Sequence, residues 1–297
     1  MFEIVWDFLK TQDVDCALGV NLRDLSPIRI GGTVKILVYP RTVESYKQLL
    51  RFLTSERIAY KIFGRMSNVL FIKDSYDIVA IRTDRMASYV NTDGVMSAEC
   101  GLSLSSVAFS LASEGYGGIS QLCGIPGSLG GLIRTCAGAY GKDISDVLES
   151  VSVYDPEKDK SYDIPRSDVG FSYRYCPIDE RLAITGAKIL LARGDSEKIK
   201  EEIVHFRKMR SASQPVGYKS LGSTFKRPVG AYAAQLIDMA GLRGKRLGGA
   251  EISQKHAGFI VNFGDATYSD VVELMHIAAD TVYKLYGVNL EPEIEMF

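Results

Sequence analysis

The stretch GIPGSLGGLIRTCAGAYG, residues 124–141, constrains the fold of this chain more than any other part of the sequence. Six of its eighteen residues are glycine, one is proline and none is acidic. Such a segment has few large side chains to pack, whereas glycine lets a ligand or another backbone approach closely. We therefore expect the stretch to lie against something that would collide with side chains.

Length and composition place the chain among ordinary globular proteins. It has 297 residues, of which 46% are hydrophobic and 24% charged, so we expect two or three compact units. The net charge is -1, from 35 basic and 36 acidic residues. A near-neutral surface gives no electrostatic reason to expect nucleic acid or an anionic membrane as a partner. No obligate protein partner is indicated.

The cysteines and histidines do not indicate a disulfide framework or a metal site. Five cysteines is an odd number and no C-x-x-C occurs, which favours a reducing compartment. The histidines, His205, His256 and His276, are far apart in the sequence. The N-terminal MFEIVWDFLK lacks the basic region of a signal peptide, and no apolar run reaches about 18 residues. We expect a cytoplasmic protein.

Hydrophobic periodicity predicts an alternation of strands and helices. Residues 34–40 are expected to form a strand, followed by a helix that Thr42 caps. A long helix near the C-terminus is expected to have Ser269 as its N-cap and Gly287 as its C-cap. Residues 289–297 have a strand-like pattern. This order of elements favours an α+β fold with mixed sheets over a doubly wound sheet.

Two loops have the composition of backbone that binds phosphate. GRMSNVL, residues 64–70, follows a predicted strand, and the other loop is the glycine-rich stretch. The alternative for residues 64–70 alone is a tight turn between two strands. Two such loops favour a long ligand with a diphosphate, such as a dinucleotide. The sequence has no G-x-G-x-x-G after a strand and no G-x-x-x-x-G-K-[ST], so another mode of binding is expected.

Three further segments carry residues suited to chemistry. Ser223 in SLGSTFKRP is a candidate nucleophile, proton donor or turn cap. Arg174 in FSYRY lies among aromatic residues, where an ordinary stacked surface arginine is equally expected. Glu291 and Glu293 in LEPEIE would share one face of a strand, or would be solvated edge charges.

In this order, GRMSNVLF, the glycine-rich stretch, FSYRY, GSTFKRP, SQKHAGFIVN and LEPEIE resemble the UDP-N-acetylenolpyruvoylglucosamine reductase family. The resemblance runs from Ile30 to Glu293 and is to the shorter, second type of the family. It implies a two-part FAD-binding domain of the vanillyl-alcohol-oxidase type and a C-terminal α+β substrate-binding domain. The expected divisions are residues 1–85, 86–205 and 206–297, with the last strand returning to the active site.

The resemblance implies bound FAD, NADPH as hydride donor, and UDP-N-acetylglucosamine enolpyruvate as a small-molecule substrate. The product would be UDP-N-acetylmuramate, a peptidoglycan precursor. Arg174 is implied to stabilise an enolic intermediate with the help of Glu293, and Ser223 to protonate C2 of the substrate. Cofactor contacts are expected at Gly64, Arg65, Ser67, Asn68, Gly124, Ile125, Pro126, Gly127, Ser128, Gly130, Gly131, Gly138, Tyr140 and Ile184.

Substrate contacts are implied by the resemblance at Arg227 and His256. Arg210, Tyr218 and Lys226 are added from their charge or their nearness to Ser223. No metal is expected.

Three positions depart from the family pattern. Met66 replaces the second glycine of Gly-x-Gly-Ser-Asn, Ser213 replaces a lysine, and Cys136 replaces an asparagine. A methionine in the left-handed region would be strained, and it could crowd a pyrophosphate. Two other interpretations remain open: a different FAD oxidoreductase of the same fold, or a degenerate nucleotide-sugar-binding protein without activity.

Overall fold

The computed structural model describes residues 2–12 and 14–297. Its helices are α1 (Phe2–Leu9), α2 (Val43–Ser55), α3 (Leu104–Ser113), α4 (Leu129–Arg134), α5 (Ser196–Ser213), α6 (Ala233–Met239) and α7 (Tyr268–Tyr286). Its strands are β1 (Val14–Asn21), β2 (Thr33–Pro40), β3 (Tyr60–Phe63), β4 (Val69–Leu70), β5 (Ser75–Arg82), β6 (Tyr89–Thr92), β7 (Val95–Glu99), β8 (Tyr116–Gly117), β9 (Gly138–Ala139), β10 (Lys142–Asp143), β11 (Leu148–Asp155), β12 (Lys160–Pro165), β13 (Ala183–Leu190), β14 (Ala192–Arg193), β15 (Ser220–Ser223), β16 (Arg246–Leu247), β17 (Ala250–Ile252), β18 (Phe259–Asn262) and β19 (Glu295–Met296).

The chain divides into two compact units. Unit 1 contains the described residues up to Val20, then Val34–Arg65 and Asp77–Lys208. Unit 2 contains Asn21–Thr33, Met66–Tyr76 and Met209–Phe297. The finer division into three domains stays a prediction.

Unit 1 contains a four-stranded sheet in the order β1-β2-β5-β3, in which β3 and β5 are parallel. The predicted strand over residues 34–40 is confirmed as part of β2. The helix α2 begins as predicted. The side chain of Thr42 accepts a hydrogen bond from the N–H of Ser45, and the side chain of Ser45 accepts one from the N–H of Thr42. Its buried side chains, which include Tyr46 and Leu49, lie in the hydrophobic core of this unit.

A second sheet of unit 1 has five strands in the order β12-β11-β13-β7-β6, and its neighbouring pairs are antiparallel. The core of unit 1 continues over this sheet, with Val151, Val153 and Ile189 buried. The glycine-rich stretch runs from a loop through α4 to the two-stranded β9–β10 hairpin.

Unit 2 contains the sheet β15-β18-β17-β16 with antiparallel pairing, and the helices α6 and α7. Gly287 ends α7 in the left-handed conformation, as predicted. The predicted N-cap Ser269 is wrong, because Thr267 has the extended backbone and accepts from the N–H of Asp270. Ser269 is already inside the first turn of the helix.

The C-terminal segment forms a much shorter strand than expected. Only Glu295–Met296 pair, in parallel with β4, and Pro292 forms an isolated bridge with Phe225. Glu293 lies outside any strand, so the expectation that Glu291 and Glu293 share one strand face is wrong. Within the described part of the chain, no helix combines the length and apolar character that crossing a bilayer requires.

Candidate active site

The glycine-rich stretch begins as a loop that ends at Ser128, the N-cap of α4. The Oγ of Ser128 accepts a hydrogen bond from the N–H of Gly131 at 3.4 Å. No group in residues 2–12 and 14–297 accepts a hydrogen bond from the N–H of Gly127 or Ser128. The loop therefore offers backbone donors of the kind that hold phosphate oxygens.

Gly64, which follows β3, lies directly against this loop. A Cβ added to Gly64 would lie 2.0 Å from the Oγ of Ser128 and 3.1 Å from its Cβ. Gly64, the first residue of the loop 64–70, therefore contacts the glycine-rich stretch within unit 1.

Two glycines of the stretch lie close to other residues of the protein itself, and not only to a site for a ligand. A Cβ on Gly130 would lie 3.2 Å from the Cβ of Cys100, and one on Gly138 would lie 2.7 Å from the Cβ of Asp143. The N–H of Gly130 also donates to the carbonyl of Cys100 at 2.8 Å. Packing within the protein therefore already excludes a side chain at Gly138 and leaves little room for one at Gly130, whether or not a ligand approaches.

Met66 and Cys136, which replace a glycine and an asparagine of the family pattern, both have a left-handed backbone conformation. Met66 has φ of +56° and is 3% exposed, and Cys136 has φ of +41° and is 1% exposed. Residues other than glycine, asparagine and aspartate rarely adopt this conformation. Burial raises the pKa of the Cys136 thiol to about 11, so this thiol stays protonated at neutral pH.

Arg174 lies in a tight turn that faces the second half of the stretch. Ser172 and Tyr175 exchange backbone hydrogen bonds of 3.1 and 2.9 Å, and Arg174 between them has φ of +55°. Its guanidinium donates to the carbonyl oxygens of Cys136 at 3.3 Å and Gly138 at 3.4 Å. The arginine and the AGAYG segment are thus brought together in unit 1.

Arg134 is a residue that the sequence reasoning missed. From the end of α4 it donates to the carbonyl oxygens of Ile178, Asp179 and Leu182. These carbonyls follow the turn that holds Arg174, so Arg134 ties that segment to the glycine-rich stretch. The sequence signal that could have identified Arg134 is a basic residue after a glycine-rich run.

Of the other expected cofactor positions, Tyr140 has φ of +55°, and its ring centroid lies 5.0 Å from that of Phe206. Ile184 is buried in β13. The rest lie in the two loops: Arg65, Gly124, Ile125 and Pro126 are in unit 1, and Ser67 and Asn68 are in unit 2.

Ser223 is the last residue of β15 in unit 2 and pairs with Phe259. Gly222 before it has φ of +84°, where the register of the pair shifts. Thr224 after it donates its N–H to Gly258, and its Oγ1 accepts from Ile260. Ser223 is therefore the end of a strand, and the residue after it is held in place by hydrogen bonds to Gly258 and Ile260.

Glu293 lies beside this strand end. Its N–H donates to the carbonyl of Thr224 at 2.9 Å, and its own carbonyl accepts from the Nδ2 of Asn68 at 2.8 Å. The structure therefore brings the segments of Ser223 and Glu293 together, although 70 positions separate them in the sequence.

The expected substrate residues all lie in unit 2. Lys226 makes a 3.4 Å ion pair with Glu291. The guanidinium of Arg227 lies 4.8 Å from the ring centroid of Tyr232. Tyr218 is exposed at a shallow cavity of about 360 Å³. Arg210 is in the last turn of α5.

His256 is held in one protonation state by its surroundings. Its Nδ1 accepts from the N–H of Gly258 at 3.2 Å, and burial lowers the pKa of the imidazole below its usual 6.5. The ring is therefore neutral at pH 7, with the proton on Nε2, where it can donate. Among the residues that the structure describes, no group of three or more metal-ligating side chains comes together.

Comparison with known proteins agrees with this arrangement. Residues 34–158 match a family described as "FAD binding domain", and residues 214–297 match "UDP-N-acetylenolpyruvoylglucosamine reductase, C-terminal domain". The chain is 37% identical to a UDP-N-acetylenolpyruvoylglucosamine reductase of Caldicellulosiruptor bescii, over 97% of this chain and 92% of that one. It is 36% identical to the enzyme of the same name from Caldanaerobacter subterraneus subsp. tengcongensis, over 100% and 99%.

A solved structure is also similar over its whole length. It is the UDP-N-acetylenolpyruvylglucosamine reductase of Thermus caldophilus, with a TM-score of 0.80 and 28% identity, covering 96% of this chain and 98% of that chain. The fold and the matched domains define a flavin-dependent oxidoreductase with an FAD-binding domain of the vanillyl-alcohol-oxidase type. Within that class, the chain belongs to the UDP-N-acetylenolpyruvoylglucosamine reductase family. The expected α+β fold, the family and FAD as cofactor are thereby confirmed.

Proposed function

We propose that this protein reduces UDP-N-acetylglucosamine enolpyruvate to UDP-N-acetylmuramate, with FAD as bound cofactor and NADPH as the source of hydride. The reaction supplies a precursor for peptidoglycan. The observation that carries the proposal is the 2.9 Å hydrogen bond from the N–H of Glu293 to the carbonyl of Thr224, which brings the segment of Glu293 next to that of Ser223. A proton donor and an acid on adjoining segments are what protonation of an enolic carbon needs.

The residues of unit 1 fit FAD. A side chain at Gly64 would collide with Ser128, and the N–H groups of Gly127 and Ser128 have no acceptor in the described chain. We propose that these residues hold the pyrophosphate, together with the rest of the stretch from Gly124 to Gly131. FAD held by these residues would supply hydride transfer from NADPH to C3 of the enolpyruvyl group.

Arg174 is proposed to stabilise the negative charge that develops on the substrate carboxylate. Hydride addition at C3 turns the enolpyruvyl group into an enolate-like species, and a fixed cation lowers the energy of that charge. The two carbonyl acceptors of Cys136 and Gly138, at 3.3 and 3.4 Å, fix the guanidinium in place. An arginine that is already positioned needs little reorganisation during the reaction.

Ser223 is proposed to protonate C2, and Glu293 to assist by acting on the carboxylate side of the intermediate. A serine hydroxyl is a weak acid, so it can serve only because the carbon that it protonates is a strong base. The left-handed Gly222 and the bonds of Thr224 hold the backbone on either side of Ser223.

For the sugar nucleotide we propose Arg227 and His256, with Arg210, Tyr218 and Lys226 as further contacts. His256 can donate from Nε2 to a phosphate oxygen while it stays uncharged. The charge of Lys226 is partly balanced by Glu291. The free cysteines suit a reducing compartment, so we place the reaction in the cytoplasm.

The test follows the flavin absorbance through the two half-reactions without oxygen. Protein loaded with FAD should lose its absorbance near 450 nm (roughly, the usual flavin band) on addition of NADPH. UDP-N-acetylglucosamine enolpyruvate should then restore the absorbance and yield one product per flavin. UDP-N-acetylglucosamine, which lacks the enolpyruvyl group, is the matched control and should restore nothing.

Other outcomes identify the competing interpretations. Reduction by NADPH without reoxidation by the enolpyruvyl substrate would indicate a different oxidoreductase of the same fold. Failure to take up FAD at all would indicate a degenerate binding protein. Either result would overturn the proposal.

A further inference from the structure

The side chain of Asn68, in the loop that follows Gly64, is bound to the C-terminal segment. The side-chain Nδ2 donates to the carbonyl of Glu293 at 2.8 Å. The backbone carbonyl of Asn68 accepts from the N–H of Glu295 at 2.9 Å. Asn68 is half-buried, so these bonds are partly shielded from water. Asn68 thus binds the C-terminal segment at two residues, Glu293 and Glu295.

The contact continues as a short parallel ladder. Val69 pairs with Glu295 and Leu70 with Met296, and the N–H of Phe297 donates to Leu70 at 2.9 Å. These bonds keep the register of the C-terminal segment fixed relative to Asn68. A slip by one residue would turn every side chain to the opposite face.

On its other side, Glu293 is bound to the strand of Ser223. Its N–H donates to the carbonyl of Thr224 at 2.9 Å, and Pro292 bridges to Phe225. Both backbone polar groups of Glu293 therefore have partners. One belongs to the residue after Ser223, and the other is the Asn68 amide.

We propose that Asn68 is a positioning residue that fixes the backbone of Glu293 beside Ser223 for the protonation step. The inference rests on the proposed function, since the part that it assigns to the Asn68 amide belongs to the second half-reaction. An amide is required because the carbonyl of Glu293 needs a donor. Alanine removes the donor, and aspartate replaces it with an oxygen that repels the carbonyl.

With FAD at saturating concentration, Asn68→Ala and Asn68→Asp should keep the rate of flavin reduction by NADPH within about twofold of wild type. Reoxidation at saturating enolpyruvyl substrate should slow by roughly 10- to 100-fold, as expected for a group displaced by about 1 Å. The KM for that substrate should change little, because Glu293 acts on charge that develops in the transition state. Asn289→Ala, which alters an exposed asparagine near the same C-terminal segment, is the matched control and should behave as wild type.

A second measurement does not depend on activity. In the apoprotein, hydrogen exchange at the amides of Glu293 and Glu295 should be faster in Asn68→Ala than in wild type and in Asn289→Ala. Both amides are hydrogen-bonded in the structure, and loss of the Asn68 side chain removes the bond that holds the segment between them.

Several results would overturn the inference. Unchanged reoxidation in both Asn68 variants would do so, as would equal exchange rates in Asn68→Ala and wild type. A parallel loss of FAD affinity and of both half-reactions would show that Asn68 acts on the cofactor instead. If wild type itself were reduced by NADPH but not reoxidised, the proposed function would fail, which is a different outcome from failure of the Asn68 variants alone.

Discussion

Gly64 lies so close to Ser128 that a Cβ on Gly64 would be 2.0 Å from the serine Oγ. That hydroxyl is the one that accepts from Gly131 at the start of α4. The two loops that we assign to FAD therefore depend on each other for their shape. A change at one of them should be measurable at the other.

Gly64→Ala should lower the free energy of unfolding by about 1–3 kcal/mol, because an added methyl group forces Ser128 out of its position. FAD affinity should fall with it, since the cap of α4 is lost. Chemical denaturation and flavin fluorescence titration measure the two effects. Gly170→Ala, where an added Cβ meets nothing within 4 Å, is the control and should be nearly neutral. Wild-type stability and FAD affinity in Gly64→Ala would contradict the contact.

Met66→Gly tests the strained position in the first loop. Loss of a buried methionine side chain costs about 2–5 kcal/mol, and about 1–2 kcal/mol of left-handed strain is relieved, so unfolding should become easier by about 1–3 kcal/mol. FAD should nevertheless bind more tightly, because the variant restores the second glycine of the family pattern Gly-x-Gly-Ser-Asn. Affinity that fell together with stability would contradict this prediction. Asp93→Gly, which relieves strain at φ of +50° in an exposed turn, should leave FAD binding unchanged.

The buried His256 should make the free energy of unfolding depend on pH. Burial lowers its pKa in the folded protein below the usual 6.5, with the charge of Arg243 acting in the same direction. As the pH falls through that usual value, the unfolded chain takes up the proton more readily than the folded protein. The free energy of unfolding should therefore fall as well. Denaturation at about pH 7.5 and about pH 5.5 measures the difference, which should be smaller in His256→Gln. His276→Gln, at an exposed helical position, should keep the wild-type difference.

The local parts of the fold could be predicted from the sequence, because their causes are local. The Thr42 cap depends on residues within one helical turn, and so does the glycine that ends α7. The incorrect N-cap of α7 had a signal that was overlooked: Thr267 and Asp270 have the spacing of a capping box.

The remaining parts depend on contacts between distant residues. Gly130 packs closely against Cys100, and the carbonyl of Glu293 is bound by Asn68, which is 225 positions away. No periodicity in the sequence reports such pairs. The resemblance to a family named the candidate residues Ser223 and Glu293, but only the structure gave the Thr224 bond that joins their segments.

The most direct test of the account is Ser223→Ala, studied in the two half-reactions separately. Flavin reduction by NADPH should proceed at the wild-type rate, while reoxidation by UDP-N-acetylglucosamine enolpyruvate should slow by at least about 100-fold, as expected for loss of a general acid. Ser220→Ala, at the other end of β15, is the matched control and should retain both rates. If Ser223→Ala slowed both half-reactions equally, or neither, the serine would not be the proton donor, and the proposed reaction at this site would be contradicted.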